Sequence, residues 1–465
     1  MFMYNYRKLV LGYAPTRRFD FPDPKNAYEN SLKIRRRVDE ILEKIGDVEL
    51  VDISFLNEEA LLYQACDVER AAQYFREKKI DALFVPHANF GNEEAVVKLC
   101  REFSVPILVW GPRDEAPPGG YGYRESDTQC GLFATTMGLL REGLTYTYLE
   151  NCWLEDPKLE QGIENFIRTA CAVKAVKNMK IGQIGPRPRD FLSVIVDEGA
   201  LVNQLKIDTV PIDGTELVTE IERIRKEDRG AVEKLVQETK QSFPCYSISE
   251  KHAEITAATE LAIRNLAETY GCTIMAGDCW YVNPLIYECY PCYAFGNLTE
   301  KGLPVICETD IYGAVTAGIL TGAARMESPA FTADMTIRHP ENDNAELLWH
   351  CGPFPKSLAK PSCNPELTDE CMGRYEIQGG DLTIARFGGV CGDFQMFFGE
   401  GKGVEGPETG GNYIWVEVED WSRWERKLMY GPYIHHACGV HGKYSEILKE
   451  VCRYTGIRAD EADER

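Results

Sequence analysis

The sequence predicts an α/β fold in which two successive doubly wound, Rossmann-like domains precede a β-rich C-terminal domain. In the first two thirds of the chain, short apolar runs alternate with amphipathic stretches, a pattern typical of strands and helices around parallel sheets. From about residue 328, prolines, glycines and aromatic residues become dense, and short alternating runs replace the helical periodicity. We therefore predict domains over residues 1–175, 176–327 and 328–465.

In the first domain, each short apolar run is a strand candidate and each amphipathic stretch a helix candidate. The predicted strands are Leu9–Tyr13, Val48–Ile53, Ala82–Pro86, Ile107–Trp110 and Thr145–Leu149. The predicted helices are Ala27–Ile45, Val68–Lys79, Glu93–Phe103 and Gln129–Leu140. Before the third of these helices, Gly91 allows an unusual turn and Asn92 can cap the helix.

The second domain repeats this alternation, and the third departs from it. The predicted strands of the second domain are Lys180–Gly185, Thr209–Ile212, Thr273–Ala276 and Pro304–Cys307, and its predicted helices are Asp190–Leu205, Thr215–Thr239, Glu250–Tyr270 and Ile311–Ala324. Neither α/β domain carries Gly-x-Gly-x-x-Gly after its first strand, so dinucleotide binding has no direct support. In the third domain we predict strands at Leu382–Phe387 and Tyr413–Val418 and a helix at Tyr444–Tyr454.

Composition excludes several classes of function. The 465 residues carry a formal charge of −22, and the longest basic run is Arg35–Arg37, which argues against nucleic-acid binding. No apolar run approaches the roughly 18 residues of a membrane span, and Met1–Tyr13 does not have the pattern of a secretion signal. We therefore expect a cytoplasmic protein whose 17 cysteines are reduced thiols. Cys289 and Cys292 have the spacing of redox or zinc sites, but core packing is the simpler interpretation.

Two carboxylates follow the strand candidate Pro304–Cys307, where parallel sheets place their ligands. If the chain stays extended there, Glu308 and Asp310 project to the same side, and two such charges favour a cation or a proton between them. The alternative is that Asp310 only caps the helix after it.

Five of the seven histidines lie after residue 330, and two of them, His435 and His436, are adjacent. Neighbouring residues of a strand point to opposite faces, so we expect only one of the two to face a given site. One of the pair could bind a metal ion, or the two could form a hydrogen-bonded structural pair.

Carboxylates with a histidine suit a hard divalent ion such as Mn²⁺ or Mg²⁺. Such an ion can hold two adjacent sugar oxygens while a carboxylate, Glu308 or Asp310, moves a proton between carbons through an enediol. Substrate-binding candidates lie at strand ends and on rigid loops: Trp280, Trp349, His350, His435, Asn89 and Arg113. Helix capping, salt bridges or aromatic packing would also explain these residues.

Taken together, these segments resemble the L-fucose/L-arabinose isomerase superfamily, and most closely its fucose-isomerase-like branch. The resemblance follows the chain in order and rests on these segments: Asn89–Glu93, Trp110–Pro117, Asp127–Phe133, Gly185–Pro188, Cys279-Trp280, Cys307–Asp310, Trp349–Gly352 and His435-His436.

The resemblance implies two Rossmann-like domains, a β-rich third domain, and an aldose–ketose isomerase that depends on Mn²⁺, with Mg²⁺ or Co²⁺ as alternatives. It also implies a homotrimer or homohexamer. In the implied metal site Asp310 is a ligand and enediol carboxylate, His436 is preferred over His435, and Glu308 supplies the second carboxylate. Asp278 and Glu288 remain candidates for a further ligand.

We therefore expect an isomerase of an open-chain deoxy sugar, a pentose or a related monosaccharide. One alternative is an isomerase of an anionic, sulfonated hexose, for which Arg113, Arg187 and Arg189 could supply positive charge. The other is a non-catalytic sugar-binding protein on the same scaffold.

Overall fold

The computed structural model describes residues 4–18, 24–114 and 126–464, without the side chains of Pro24 and Lys25. The chain forms two compact units. One spans Arg7–Lys174, and the other spans Ala175–Arg465 together with Met1–Tyr6. The first unit thus ends next to the predicted boundary at residue 175. Residues 115–117, part of one segment that carries the resemblance, lie outside the described residues.

The first unit contains a parallel sheet that has, among the described residues, five strands. In sheet order they are Val48–Asp52, Leu9–Tyr13, Ala82–Pro86, Ile107–Trp110 and Thr147–Tyr148. The helices around it are Pro24–Ile45, Val68–Lys78, Glu93–Cys100, Thr128–Arg141 and Pro157–Lys177, the last of which runs on past the end of the unit. As predicted, the Asn92 side chain caps the third helix by accepting a hydrogen bond from the Ala95 nitrogen, and Gly91 has a φ of 79°.

Separate hydrophobic cores cover the two faces of this sheet. Leu9, Leu11 and Tyr13 pack with residues of the first and last helices, whereas Leu83 and Val85 pack with the three helices between them. Apolar residues on both faces of a strand are typical of a sheet with helices on both sides. The strand order and the two cores confirm a doubly wound α/β arrangement.

The second unit begins with a smaller parallel sheet. Its strands, in sheet order, are Val305–Ile306, Ile274–Gly277, Lys180–Ile184 and Asp208–Ile212. Its main helices are Gly214–Glu227, Arg229–Ser242, Glu250–Tyr270, Val282–Tyr287, Cys292–Glu300 and Ile311–Ala324. The last of these is buried along its whole length.

A large mixed sheet follows. Its described strands, in sheet order, are Arg458–Glu461, Asp393–Val404, Gly380–Val390, His436–His441, Phe331–Arg338, Ala345–His350, Asn412–Glu417, Gly373–Glu376, Glu366–Leu367 and Cys245–Tyr246. A further pairing between Asp393–Val404 and Asn412–Glu417 joins six of these strands into a closed ring. The helices Trp421–Tyr430 and Ser445–Thr455 complete this part. One hydrophobic core continues across the predicted boundary at residue 328, from Ile184 to Ala462.

Two predicted helices differ from the observed ones. The long helix expected over Thr215–Thr239 is divided at Asp228, whose φ and ψ of −115° and 35° are not helical. Instead of a helix over Asp190–Leu205, the chain forms a short turn at Leu192–Val194 and then helical turns over Glu198–Leu205. In the described part of the chain, no helix is both long enough and apolar enough to cross a membrane.

Candidate active site

The strand Val305–Ile306 ends in a tight turn that separates the two predicted carboxylates. Glu308 and Thr309 have positive φ values of 61° and 54°, so the chain does not stay extended as predicted. Non-glycine residues adopt this left-handed conformation at a cost, and such strain is concentrated at functional sites. Because of this turn, Glu308 and Asp310 have different surroundings.

Asp310 is completely buried, and both of its carboxylate oxygens are occupied. Oδ1 accepts hydrogen bonds from the Gly313 nitrogen at 3.0 Å, which caps the next helix, and from Nη2 of Arg386 at 3.0 Å. Oδ2 accepts from Nη1 of Arg386 and lies 2.9 Å from Nδ1 of His436. Burial alone would raise the pKa of Asp310, but Arg386 and His436 hold it far below its usual range. Asp310 is thus a buried anion that positions a histidine, with partners different from those the ligand prediction implied.

His436 connects this buried pair to the rest of the site. Its Nδ1 faces Asp310, while its Nε2 lies 2.9 Å from Oε2 of Glu308 and 3.6 Å from Oδ1 of Asp334. Burial opposes protonation of the ring, but the Asp310 and Glu308 carboxylates raise the pKa of His436 to about 9. A histidine that donates from one nitrogen to a carboxylate presents the other nitrogen to a metal ion.

Three buried polar atoms converge in front of His436. His436 Nε2 and Glu308 Oε2 form an ion pair of 2.9 Å, and Asp334 Oδ1, which has no hydrogen-bond partner among the described residues, lies 3.6 Å from the same nitrogen. Two carboxylate oxygens thus face one ring nitrogen, and these three donor atoms can together hold a divalent cation.

Asp334 was not among the predicted site residues. It lies on the strand Phe331–Arg338, directly opposite His436 in the antiparallel pairing with the strand His436–His441. The signal in the sequence was an acidic residue immediately after the apolar run Ala330–Ala333. Ligand atoms of Asp334, His435 and His436 lie within 4.8 Å of one another.

Glu308 is held in the charged form. Burial raises the pKa of this carboxyl, but the adjacent His436 imidazole lowers it below its usual range overall. Oε1 of Glu308 also accepts a hydrogen bond of 3.3 Å from Nε1 of Trp280. Two carboxylates and an imidazole form a donor set that suits Mn²⁺ or a similar divalent ion.

Two of the predicted substrate-binding residues, Trp280 and His435, lie beside Glu308 and His436. Trp280 is 43% exposed and packs edge-on against Phe191, with ring centroids 5.1 Å apart. The rings of His435 and His436 are 4.2 Å apart, and His435 Nε2 lies 3.8 Å from Oδ1 of Asp334. The two histidines therefore approach the same carboxylate, contrary to our expectation, because His435 precedes the strand and the alternation of strand faces does not apply to it.

Trp349 and His350 end the neighbouring strand Ala345–His350. Trp349 lies opposite Asp334 in the strand pairing, and the two aromatic rings are nearly parallel, with an interplanar angle of 5°. His350 is buried, and its Nε2 has no partner among the described residues. Burial lowers the pKa of His350, but the adjacent Cys351 and the Asp334 and Glu308 carboxylates raise it to about 9.

The other candidates have local partners. Asn89 and Arg113 belong to the first unit, where the Asn89 side chain accepts from the Arg18 and Gly91 nitrogens and the Arg113 guanidinium lies 5.3 Å from the centre of the Trp153 ring. Asp278 accepts from the Trp280 and Tyr281 nitrogens, and burial raises its pKa. The exposed Glu288 pairs with Lys251 at 2.7 Å.

Comparison with known proteins bears on this geometry. Residues 16–177 match the family model described as the N-terminal domain of fucose/sulfoquinovose isomerase. A sulfoquinovose isomerase from Priestia aryabhattai is 25% identical over 405 residues, which cover 82% of this chain and 85% of that protein. One from Alkalicoccus urumqiensis is 23% identical over 384 residues, covering 80% and 84% of the two chains.

The chain is thus similar to fucose and sulfoquinovose isomerases. The predicted resemblance is thereby confirmed, and with it the prediction that the protein is an aldose–ketose isomerase. The matched segments of both relatives are longer than the first unit, so they include much of the second unit.

Proposed function

We propose that this isomerase acts on a sulfonated hexose and uses a divalent cation held by Glu308, Asp334 and His436. The names of its relatives favour the sulfonated substrate over the deoxy sugar or pentose that we expected first. The convergence of these three buried donor atoms supports the cation site.

The donor set fits Mn²⁺, and Mg²⁺ and Co²⁺ are alternatives. The histidine offers Nε2 because its Nδ1 faces Asp310, and this carboxylate is in turn fixed by Arg386. The site differs from our first ligand prediction by one residue, since Asp334 replaces Asp310. When bound, such a cation supplies Lewis-acid polarisation of carbonyl and hydroxyl oxygens.

The Glu308 carboxylate is the proposed proton carrier. Its Oε2 faces His436, which leaves Oε1, held by the Trp280 indole, to take the proton from C2 of the open-chain aldose. The same oxygen then returns the proton to C1 of the enediol. Because His436 keeps the pKa of Glu308 low, the carboxylate is ready to act as a base.

Other side chains in this region can hold the sugar. His350 has a buried Nε2 that can bind a hydroxyl group, and the exposed Trp280 indole offers an apolar face.

A sulfonate requires positive charge in a protein whose net charge is −22. The loop Gly185–Phe191 supplies it near the site: Thr309 Oγ1 donates to the Pro186 carbonyl at 3.2 Å, and Phe191 packs against Trp280. Within this loop, Nη1 of Arg187 contacts the carbonyls of Pro188, Arg189 and Phe191, whereas Arg189 is exposed. We infer that Arg187 shapes the loop and Arg189 binds the anionic group.

The test compares sugars with and without the sulfonate. We expect purified protein with added Mn²⁺ to interconvert the sulfonated aldohexose and its ketose, followed by NMR, and to act at least about tenfold less well on fucose and pentoses. Arg189→Ala should remove this preference without lowering the activity on neutral sugars. Glu308→Gln should lower turnover by about 100-fold or more, because it removes the base.

Activity on neutral sugars that equals activity on the sulfonated one would contradict the proposed substrate. A Glu308→Gln variant with unchanged turnover would contradict the proposed proton carrier. A trimeric or hexameric assembly and a cytoplasmic location remain predictions.

A further inference from the structure

Behind the candidate site lies a pair of thiols that the proposed reaction does not use. Sγ of Cys292 is 3.4 Å from Sγ of Cys351, although the two residues are far apart in sequence. Two further thiol contacts lie nearby, Cys279 with Cys307 and Cys289 with Cys371. The Cys-x-x-Cys motif thus places its two cysteines in different pairs.

A histidine distinguishes the Cys292–Cys351 pair from the other two. Nδ1 of His350 lies 3.1 Å from Sγ of Cys351. The hydrogen bond from the Cys292 thiol and the charge of His350 lower the pKa of Cys351 well below its ordinary value. The thiolate is the reactive form of cysteine, and Cys351 as a residue is only partly buried.

The backbone keeps the two sulfur atoms close. Cys292 is the first residue of the helix Cys292–Glu300, and Cys351 directly follows the strand Ala345–His350. The loop after Cys351 packs tightly on the helix, since a Cβ atom at Gly296 would lie 2.7 Å from the Pro353 carbonyl oxygen. A disulfide requires the two sulfur atoms to approach from 3.4 Å to about 2.05 Å.

We propose that Cys351 and Cys292 are a peroxide-sensitive pair whose reversible disulfide lowers the activity of the isomerase. The Cys351 thiolate attacks one oxygen of hydrogen peroxide and the O–O bond breaks. The sulfur becomes a sulfenic acid, and the released hydroxide takes up a proton to form water. The Cys292 sulfur then attacks Sγ of Cys351, the S–O bond breaks, and the Cys292 proton leaves with the hydroxide as a second water.

The effect on activity rests on the proposed function. The disulfide draws Sγ of Cys351 away from His350, whose free Nε2 we assigned to the sugar. A displacement of about 1 Å in a positioning group can cost up to about 100-fold in rate. We therefore expect the oxidised enzyme to be between about tenfold and 100-fold less active, and dithiothreitol to restore it.

The experiment treats the full-length protein with increasing hydrogen peroxide, blocks free thiols, and maps disulfides by mass spectrometry of peptides. We expect a Cys292–Cys351 link at peroxide concentrations that leave the exposed Cys66 and Cys391 unmodified. Cys289→Ser is the matched control, because it removes the other motif cysteine and should leave the link intact. Cys292→Ser should abolish the link. The Cys351 sulfenic acid then has no partner thiol, so a second hydrogen peroxide oxidises it to the sulfinic acid, with release of water, and dithiothreitol no longer restores the activity. Cys292→Ala serves the same purpose if the serine disturbs packing.

Oxidation of Cys66 and Cys391 before Cys351, or a Cys289–Cys371 link that forms first, would overturn the proposal. So would a Cys292–Cys351 link that leaves the isomerase activity unchanged. The mapping of the link needs no substrate, so its result stands even if the sulfonated hexose proves not to be the substrate.

Discussion

The two sides of the His436 ring differ in one respect that explains the site. On the Nδ1 side, both oxygens of Asp310 and both terminal nitrogens of Arg386 are paired with each other or with neighbouring groups. On the Nε2 side, Glu308 Oε2 lies 2.9 Å from the ring nitrogen, and Asp334 Oδ1 has no hydrogen-bond partner among the described residues. Leaving a buried polar atom unpaired costs about 1–3 kcal/mol. Among the described atoms, Asp334 Oδ1 bears that cost on the Nε2 side, and Nε of Arg386 bears it behind Asp310.

The two sides of the ring therefore have different roles: the Nδ1 side positions His436, and the Nε2 side offers atoms that can bind a cation. A buried ion pair such as Arg386–Asp310 gains little net stability, because desolvation offsets the attraction, but it fixes the geometry of the groups around it. Here the pair fixes the orientation of the ring. The Nε2 side then offers three donor atoms, and a cation there would relieve the repulsion between the Glu308 and Asp334 carboxylates.

The largest effect is expected from Asp334→Asn, which changes the Nε2 side of the His436 ring. We expect Mn²⁺ affinity, measured by calorimetry, to fall by more than about 100-fold, which exceeds the effect typical of residues outside the first ligand layer. The amide keeps the shape of the carboxylate but lacks its charge. Thermal unfolding of the metal-free protein should be unchanged or shifted upward, because the substitution removes an unpaired buried oxygen charge.

Unchanged Mn²⁺ affinity in Asp334→Asn would show that the convergence of atoms in front of His436 does not form a metal site. The exposed Glu288, which the sequence analysis also considered as a ligand, provides the control. Glu288→Gln should leave the affinity unchanged, because this side chain pairs with Lys251.

Asp310→Asn tests the other side of the ring, and we expect a smaller effect. The asparagine side chain has only one oxygen that accepts hydrogen bonds, and its nitrogen cannot accept them. It therefore cannot replace both carboxylate oxygens that face Arg386 and His436, and the ring loses its fixed orientation. Mn²⁺ affinity should fall by about 10-fold to 100-fold, as is typical of residues that orient a ligand. The NMR signals of the His436 ring should shift even in the absence of metal.

The control for this variant is Asp278→Asn. Asp278 is also buried at a strand end, but it accepts hydrogen bonds from backbone nitrogens, which an asparagine oxygen can accept equally well. If Asp278→Asn weakens Mn²⁺ binding as much as Asp310→Asn does, the loss reflects general disturbance of the strand ends and not the orientation of His436.

Local patterns predicted most of the fold. The strands Ala82–Pro86 and Ile107–Trp110 and the helices Glu250–Tyr270 and Ile311–Ala324 have the predicted bounds, because their apolar periodicity is strong and their ends carry clear signals. The failures lie where tertiary contacts override the pattern. The region 190–205 has a helical pattern, but the Gly185–Phe191 loop that precedes it packs against the active site.

The site was predictable only in part. Glu308 and His436 stood out because of their position in the chain, but Asp334 lies in an unremarkable strand and meets them only through the pairing of strands 100 residues apart. Asp310 resembled a ligand in sequence, and only the structure brings Arg386 to both of its oxygens. Such partners depend on long-range contacts, which a local pattern does not contain.

Another buried carboxylate, Glu346, can show why Glu308 stays charged. The effect expected from its substitution is the smallest of those described. Burial raises the pKa of Glu346 to about 7, although Arg338 acts in the opposite direction. Since its pKa is higher in the folded protein than in the unfolded chain, its contribution to stability is fully present below about pH 4 and is lost as the pH rises through 7. Glu346→Gln should therefore increase the free energy of unfolding by about 1–2 kcal/mol at pH 8 and change it little at pH 4, as measured by urea denaturation. A gain of equal size at both pH values would mean that the proton is not involved. If the gain is confined to pH 8, burial, with the help of the neighbouring Glu425 carboxylate, protonates a carboxylate in this sheet, and the charged state of the buried Glu308 comes from His436, the ring that the Asp310–Arg386 pair holds in place.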